Sequence, residues 1–463
     1  MNLRTLSFVL LWMWQLLAAQ ENFAQPEFVN FEGRVRPLNS LENALANALC
    51  EKQKCAGLKP QTLLQKIVDG SADSLNVFRV NRSMTVEILH LDPARREFKR
   101  SDFEESRSLL KQYAERDDSH PQTHELSRLD YALDLFDSLQ VQGFCWRISV
   151  PRQELSSTSL RQLLAERAYL NWNLPFCVWI FVCIAFGLSL LALWKSWAWK
   201  AALVMQSIVS LGCAGIFLWR GIVENRVPLT TLYEMLLALV LGVSIFAVAV
   251  SAKGRVKPLL TCGSGICLAL FLVMRSALAG DPFGAVAMIL NSSFWLSMHV
   301  FTIAVGFCGL ILASLLAHVM LAKRAFGGEV SVSLQKLLFG TLGVGFAVST
   351  LGTLFGGFWA EVAWGRFWGW DPKENGALLV LIWVLMVIHL KAQNFVKPKT
   401  LEVLSSLLLI VIAFCLFGVN LLGVGLHSYG FSANLLVAFS AFVLGDVGVI
   451  CFLSFWKRNK RRK

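Results

Sequence analysis

The chain has 463 residues, 55% of them hydrophobic and 16% charged, with a formal net charge of +12 at pH 7. That apolar share exceeds the roughly 45–50% of soluble domains, which excludes an ordinary soluble protein and makes this a membrane protein. The positive balance does not indicate nucleic acid, because the basic residues sit in short clusters between apolar runs and in the terminal "WKRNKRRK", the pattern of cytoplasmic membrane flanks.

The chain opens with "MNLRTLSFVLLWMWQLLAAQ". One basic residue, an apolar stretch and small residues before a polar turn mark residues 1–20 as a signal peptide, with an uncleaved anchor as the alternative. Residues 21–171 are polar and charged, as expected of a soluble exported domain, α or α/β. Helices are expected in "SLENALANALCEKQ" and "FEESRSLLKQYAERDD", and a strand in "SMTVEILHL". In "CEKQKC", Cys50 and Cys55 suit a local disulfide if the domain faces an oxidising compartment. Most other cysteines lie singly in apolar segments, where a thiol behaves as a small hydrophobe. No C-x-x-C-H occurs, so the chain is not itself a c-type cytochrome.

From Pro175 the sequence becomes a succession of apolar segments near the ~20 residues that cross a bilayer as helix. They fall at about 175–193, 201–219, 230–252, 258–279, 295–322, 336–357, 376–394, 401–420 and 433–455. The fold class is therefore an all-α polytopic membrane protein with nine transmembrane helices after the signal and the soluble domain. With that domain outside, five inner connections, including the tail 456–463, each carry two or more Lys or Arg, as cytoplasmic loops should. Two outer connections break the trend, one with Arg220 and Arg226, the other with Arg366 and Lys373, and topology does not explain them.

Ionisable residues within the membrane half are functional candidates by default. His299 falls at the outer end of the fifth span and His427 in the last outer loop, on the same side as a tryptophan-rich loop at 358–374. His389 lies 13 residues beyond Gly376, about 20 Å into its span at 1.5 Å per residue. His318 is near the inner end of its span with no partner feature. His90, His120 and His124 read as solvated surface. Two imidazoles beside an aromatic loop suit a planar macrocycle better than zinc, which usually takes three or four protein ligands. "FWAEVAWGRFWGWD" holds Trp359, Trp364, Trp368 and Trp370 with two Phe, denser than an interfacial aromatic belt, which is the competing reading. If the stretch is helical, Trp364 and Trp368 share a face. Arg366 and Lys373 suit haem propionates as charge-assisted pairs. Asp371-Pro372 closes the loop as a turn that launches the next span. Glu234, Glu361 and Glu374 are read either as partners for histidines and basic groups or as solvated charges.

"WGRFWGWDPKENGALLVLIW" at 364–383, with "RVPLTTLYE" at 226–234, "FWLSMHV" at 294–300 and "VNLLGVGLHSYGF" at 419–431, resembles the CcsA or ResC type of cytochrome c biogenesis protein, a tryptophan-rich, WWD-motif family. The resemblance covers about 175–455, the CcsA-like domain. It implies haem transport across the bacterial inner membrane and haem attachment to C-x-x-C-H motifs of apocytochromes c, a holocytochrome c synthase (haem lyase)-like activity. It maps the outer iron ligands onto His299 and His427, and an intramembrane haem b ligand onto His389. The same resemblance implies a CcsB or ResB partner, apocytochrome c as client and proteins of a thiol-reducing pathway as further candidates. CcmF-type and CcmC-type haem chaperones share the tryptophan signature. A non-haem polytopic transporter, with Glu234 and His389 as relay groups, is the reading from another class.

Overall fold

The computed structural model describes residues 27–31, 34–51, 55–114, 121–141, 148–254, 257–276, 283, 294–419 and 433–456. Residues 1–20, His120, His427 and the basic tail beyond Trp456 lie outside them. The chain forms two compact units, one of residues up to Leu174 with Trp219–Asn225 and Ala279–Ala285, the other of the remainder.

The first unit is mainly helical. Its strands β1 (Phe28–Phe31) and β2 (Arg34–Pro37) pair antiparallel with Phe28 opposite Pro37, and β3 (Phe78–Arg79) pairs with β4 (Glu97–Phe98). Among the described residues six helices accompany them: α1 (Leu38–Cys50), α2 (Pro60–Val68), α3 (Ser83–Ile88), α4 (Arg107–Ala114), α5 (Pro121–Gln140) and α6 (Ser157–Trp172). Leu41, Leu45 and Leu49 recur at helical spacing on α1 and are fully buried, packed with Leu63 and Ile67 of α2 and Leu129, Leu133 and Phe136 of α5. Phe78 sits 5.4 and 5.3 Å from the rings of Phe103 and Phe136. Cys50 and Cys55 are joined as a disulfide buried within this core.

The strand expected in "SMTVEILHL" is instead the helix α3. Within the helix and its C-cap, Thr85, Val86 and Leu89 are the buried positions, a helical and not an alternating spacing. The Thr85 hydroxyl donates to the Glu125 carboxylate at 2.6 Å, and that carboxylate also accepts the Asn81 backbone N–H at 2.7 Å, anchoring the segment from both sides. A tertiary partner supplied by α5 thus overrides the β propensity of the local residues.

The second unit carries the apolar helices: α7 (Leu174–Leu191), α8 (Ser196–Glu224), α9 (Leu232–Gly254), α10 (Lys257–Ser276), α11 (Phe294–Ala325), α12 (Val332–Trp364), α13 (Pro372–Ala392), α14 (Pro398–Leu416) and α15 (Ala433–Phe455). Among the described residues these are nine helices long and apolar enough to cross a membrane, matching the nine segments read from hydropathy. Two run well past their expected ends: α8 continues to Glu224, and α12 continues through Trp359 to Trp364. The last turn of α8 belongs to the first unit.

The axis of the second unit is α11, with 72% of its apolar window buried against 22% for α13. It approaches α12 closely because glycines line the contact. A Cβ at Gly306 would meet the Ser349 backbone nitrogen at 2.7 Å, and one at Gly352 would meet that of Ile303 at 2.8 Å. Small residues let membrane helices pack backbone to backbone, where dispersion replaces the missing hydrophobic drive. Gln206 of α8 ties α9 and α10 together, donating to Ser244 and accepting from Ser264, each at 2.8 Å.

The unexpected positive residues have local reasons. Arg220 is 1% exposed, pairs with Glu224 at 2.8 Å one turn on, and sits 4.8 Å from the Phe283 ring centre. Arg226 grips the buried Glu234 through both carboxylate oxygens, at 3.2 and 3.3 Å. Glu234 also accepts the backbone N–H of Thr230 and Thr231, while Thr231 caps Glu234 in return. This reciprocal arrangement is a capping box that starts α9.

Glu42 on α1 is buried, and desolvation pushes its carboxyl up to about 7, only partly offset by Arg167. Because the folded state holds a proton that the unfolded chain has lost, stability falls as pH rises from about 4.5 to 7. Glu42→Gln is therefore expected to stabilise the first unit by about 2–3 kcal/mol at pH 8 and to change nothing at pH 4. Hydrogen exchange across α1 in the purified full chain, compared at the two pH values, measures this.

Candidate functional site

One end of the second unit gathers α9, α11, α12, α13 and α14 around an apolar cavity of about 140 Å³. His299, near the start of α11, lines it together with Ile303, Gly356, Trp359, Phe367 and Trp368. Leu229, Thr231 and Met235 from the start of α9 also line the cavity, and so do Lys373 and Cys415.

The His299 imidazole is oriented by backbone. Its Nδ1–H donates to the Gly352 carbonyl at 2.7 Å, which in the neutral ring leaves the lone pair on Nε2. The ring fits because α12 has no side chain where it lies: a Cβ at Gly356 would come within 2.7 Å of both Cε1 and Nδ1. The pair Gly352 and Gly356 in "GTLFG" thus forms a slot for an imidazole. A second contact of this kind follows at Gly357, whose Cβ would enter the Phe367 ring.

The aromatic residues divide between helix and loop. Trp359 is buried in the last turns of α12, with its ring 4.6 Å from that of Trp364 and nearly perpendicular to it. Gly365 then ends α12 in the left-handed conformation at φ 69°. The expected helical face shared by Trp364 and Trp368 is therefore absent, since the chain leaves the helix between them. Phe367 and Trp368 turn back to the cavity, and Trp370 at φ 58° stands 70% exposed. Trp295 of α11, 5.2 Å from Phe358, which in turn meets Phe367 at 5.5 Å, extends the aromatic wall.

Asp371 does not reach the cavity. It is the N-cap of α13, accepting the Lys373 N–H at 2.9 Å, with Pro372 at the first helical position. Glu374 returns the interaction, accepting the N–H of Asp371 at 3.1 Å and of Gly369 at 2.8 Å. "WDPKE" is thus a capping box whose acid also holds the preceding loop. Lys373 donates to the carbonyls of Cys415 and Leu416 at 3.1 and 2.7 Å, a cation placed at the carbonyl end of α14. Arg366 is exposed and lies over Gly369.

His389 sits at the opposite end of α13, in its last turn. Seventeen residues separate it from Pro372, or about 25 Å of helix, somewhat deeper than the sequence suggested. It is exposed, on the same stripe as the exposed Ile382 and Leu385, and far along the helix from the cavity. His427 lies outside the described residues, so the predicted pairing with His299 is not visible. Of the predicted set, the structure brings His299, Trp359, Trp368 and Lys373 to one cavity. It adds Phe367, Trp295 and the glycine slot, which composition did not single out, though the spacing in "GTLFGG" carried a signal.

A sequence model described as Cytochrome C assembly protein matches residues 229–427, from the cavity wall to His427. Among curated proteins, the cytochrome c biogenesis protein CcsA of Prochlorococcus marinus (strain MIT 9301) is 27% identical over 289 residues, covering 56% of this chain and 93% of that protein. The CcsA of Amborella trichopoda is 28% identical over 263 residues, 48% of this chain and 84% of that protein. That of Chlamydomonas reinhardtii is 36% identical over 146 residues, 30% of this chain and 41% of that protein. Over its membrane half the chain is similar to CcsA-type cytochrome c biogenesis proteins. Its role is in cytochrome c biogenesis, and the matched segment contains every residue that lines the cavity described above.

The cap that holds the tryptophan loop has a measurable weight. Asp371→Ala is expected to cost about 1 kcal/mol and Asp371→Asn much less, because Asn also caps well. Hydrogen exchange in the first turn of α13 reads the difference, with faster exchange expected only for the Ala variant.

Proposed function

We propose that this protein carries haem through the bacterial inner membrane and presents it at the tryptophan loop for covalent attachment to C-x-x-C-H motifs of apocytochromes c. The observation that carries the reading is His299, whose Nε2 is left with the lone pair by the Gly352 hydrogen bond, in the wall of an aromatic cavity inside the matched domain. Haem iron takes axial imidazoles, and a dry aromatic surface suits its apolar macrocycle. His299 and His427 would hold the iron on the outer face, with Trp359, Trp364, Trp368 and Trp370 forming the shelf around it. Arg366, exposed beside the loop, and Lys373, on the cavity wall, are the cations nearest for propionates. Asp371 would act through the loop it caps.

The chemistry is addition of two cysteine thiols of the client across the two vinyl groups of haem b, forming thioethers. The protein supplies position, not a nucleophile, and holding the vinyl edge against the client motif is an entropic contribution to rate. On this reading residues 1–20 direct export, the first unit and the tryptophan loop face outward, and the basic tail stays in the cytoplasm.

His389 would receive haem deeper in the membrane. Its exposure beside Ile382 and Leu385 supports docking of a second membrane protein of the CcsB or ResB type that brings the other imidazole. Within this chain His318 is already engaged by Asp446 and the Ser314 carbonyl. A transporter using Glu234 as a relay is disfavoured, because that carboxylate is committed to Arg226 and to capping α9.

Protein purified with its partner from haem-replete membranes should show a haem Soret band. His299→Ala with His427→Ala should abolish the outer-site component, and Gly356→Ala should weaken it by crowding the ring. Colourless wild-type protein would overturn the reading.

A further inference from the structure

Away from the cavity, the far end of α11 holds a second ionisable arrangement. His318 is 19 residues beyond His299, about 28 Å along the same helix. Its Nδ1 lies 2.9 Å from the Ser314 carbonyl and its Nε2 lies 3.1 Å from Oδ1 of Asp446 on α15. Both side chains are about nine-tenths buried, at 10% and 11% exposure. The other carboxylate oxygen, Oδ2, is buried with no hydrogen-bond partner.

This geometry counts protons. A carbonyl oxygen only accepts, so Nδ1 must carry a hydrogen. Nε2 then contacts the carboxyl group favourably in two states: an imidazolium facing a carboxylate, or a neutral imidazole facing a protonated carboxyl. Both are neutral overall, and both hold one proton between Nε2 and Oδ1. Remove it and a nitrogen lone pair faces a carboxylate, with a net negative charge in a poorly solvated site.

We infer that His318 and Asp446 form a proton-binding site within the membrane, and that its proton holds α15 against α11. Loss of the proton to water leaves the pair repulsive and loosens α15. That helix is otherwise lightly held, with 11% of its apolar window buried. Its remaining attachments include Ile450 and Leu453 against Leu321 and Ala325, and the Ser454 carbonyl, which accepts from Lys399.

The other charged groups on the packed elements are committed or remote. On α14, Glu402 accepts from Arg324 at 2.8 Å, and Arg324 lies six residues beyond His318 on α11; the neighbouring Lys323 is also in the last turn of α11. On α10, Lys257 and Arg275 occupy the two ends, and Arg275 lies over Phe176 and Trp179. On α9, Glu234 is in the first turn, and on α12, Lys336 and Glu361 lie towards opposite ends. Asp446 is the acid of α15.

The test is hydrogen exchange of α15 amides in the haem-free full chain in detergent, from pH 6 to pH 9, corrected for intrinsic exchange. Wild type should lose protection by up to about tenfold per pH unit once the proton leaves. Asp446→Asn should hold α15 with no such slope, because the amide supplies its own N–H to Nε2. His318→Leu should exchange fast throughout. A flat wild-type profile, or a slope that survives in Asp446→Asn, would overturn the inference. No haem signal enters the measurement, so it stands or falls apart from the haem reading.

Discussion

The closeness of α11 and α12 is the constraint from which the site follows. Two helices can exchange a side chain for a backbone carbonyl only if nothing stands between them, and Gly306 and Gly352 remove what would stand there. The His299 imidazole then reaches the Gly352 carbonyl, and Gly356 leaves room for the ring. A helix pair held apart by larger residues would leave that imidazole without its oriented nitrogen. In a membrane, where helix association depends on packing and polar contacts, the same approach also makes α11 the buried axis of the bundle.

A second constraint is the cost of charge in a poorly solvated interior. Three ionisable groups near the helix ends are tied to a partner or a helix terminus: Glu234 to Arg226 and the start of α9, Glu402 to Arg324, Lys373 to the carbonyl end of α14. These ties also set geometry. The capping box at Asp371 and Glu374 fixes where α13 begins, and Glu374 pulls the Gly369 backbone with it, so the turn that positions Trp368 is held by the same carboxylate. One carboxylate thus serves both the start of α13 and the loop beside the cavity.

Much of the architecture was legible because apolar length is a one-dimensional property. All nine apolar segments appear as helices, and errors fall at their ends, where α12 runs on through Trp364 and α8 through Glu224. Hydropathy fails there for a physical reason: tryptophan, arginine and glutamate lower the local average yet sit well in a helix when a buried partner receives them. The short strand expected in the polar region failed for a related reason, since Thr85 answers to Glu125 and not to its neighbours. Histidine candidates were likewise found by type and not by surroundings. His318 looked partnerless because Asp446 is 128 positions away.

What the sequence by itself determined is the class of the protein and the chemistry on offer: nine spans, a dense tryptophan stretch, and a few histidines in an apolar setting, all consequences of composition along a line. Only the tertiary structure decided which of them share a cavity. It put His299 with Trp359, Phe367 and Trp368, and turned Asp371 into a helix cap. The reason is that a lone pair is aimed, and a cavity walled, by contacts between residues distant in the chain, here Gly352 against His299, which no local pattern contains.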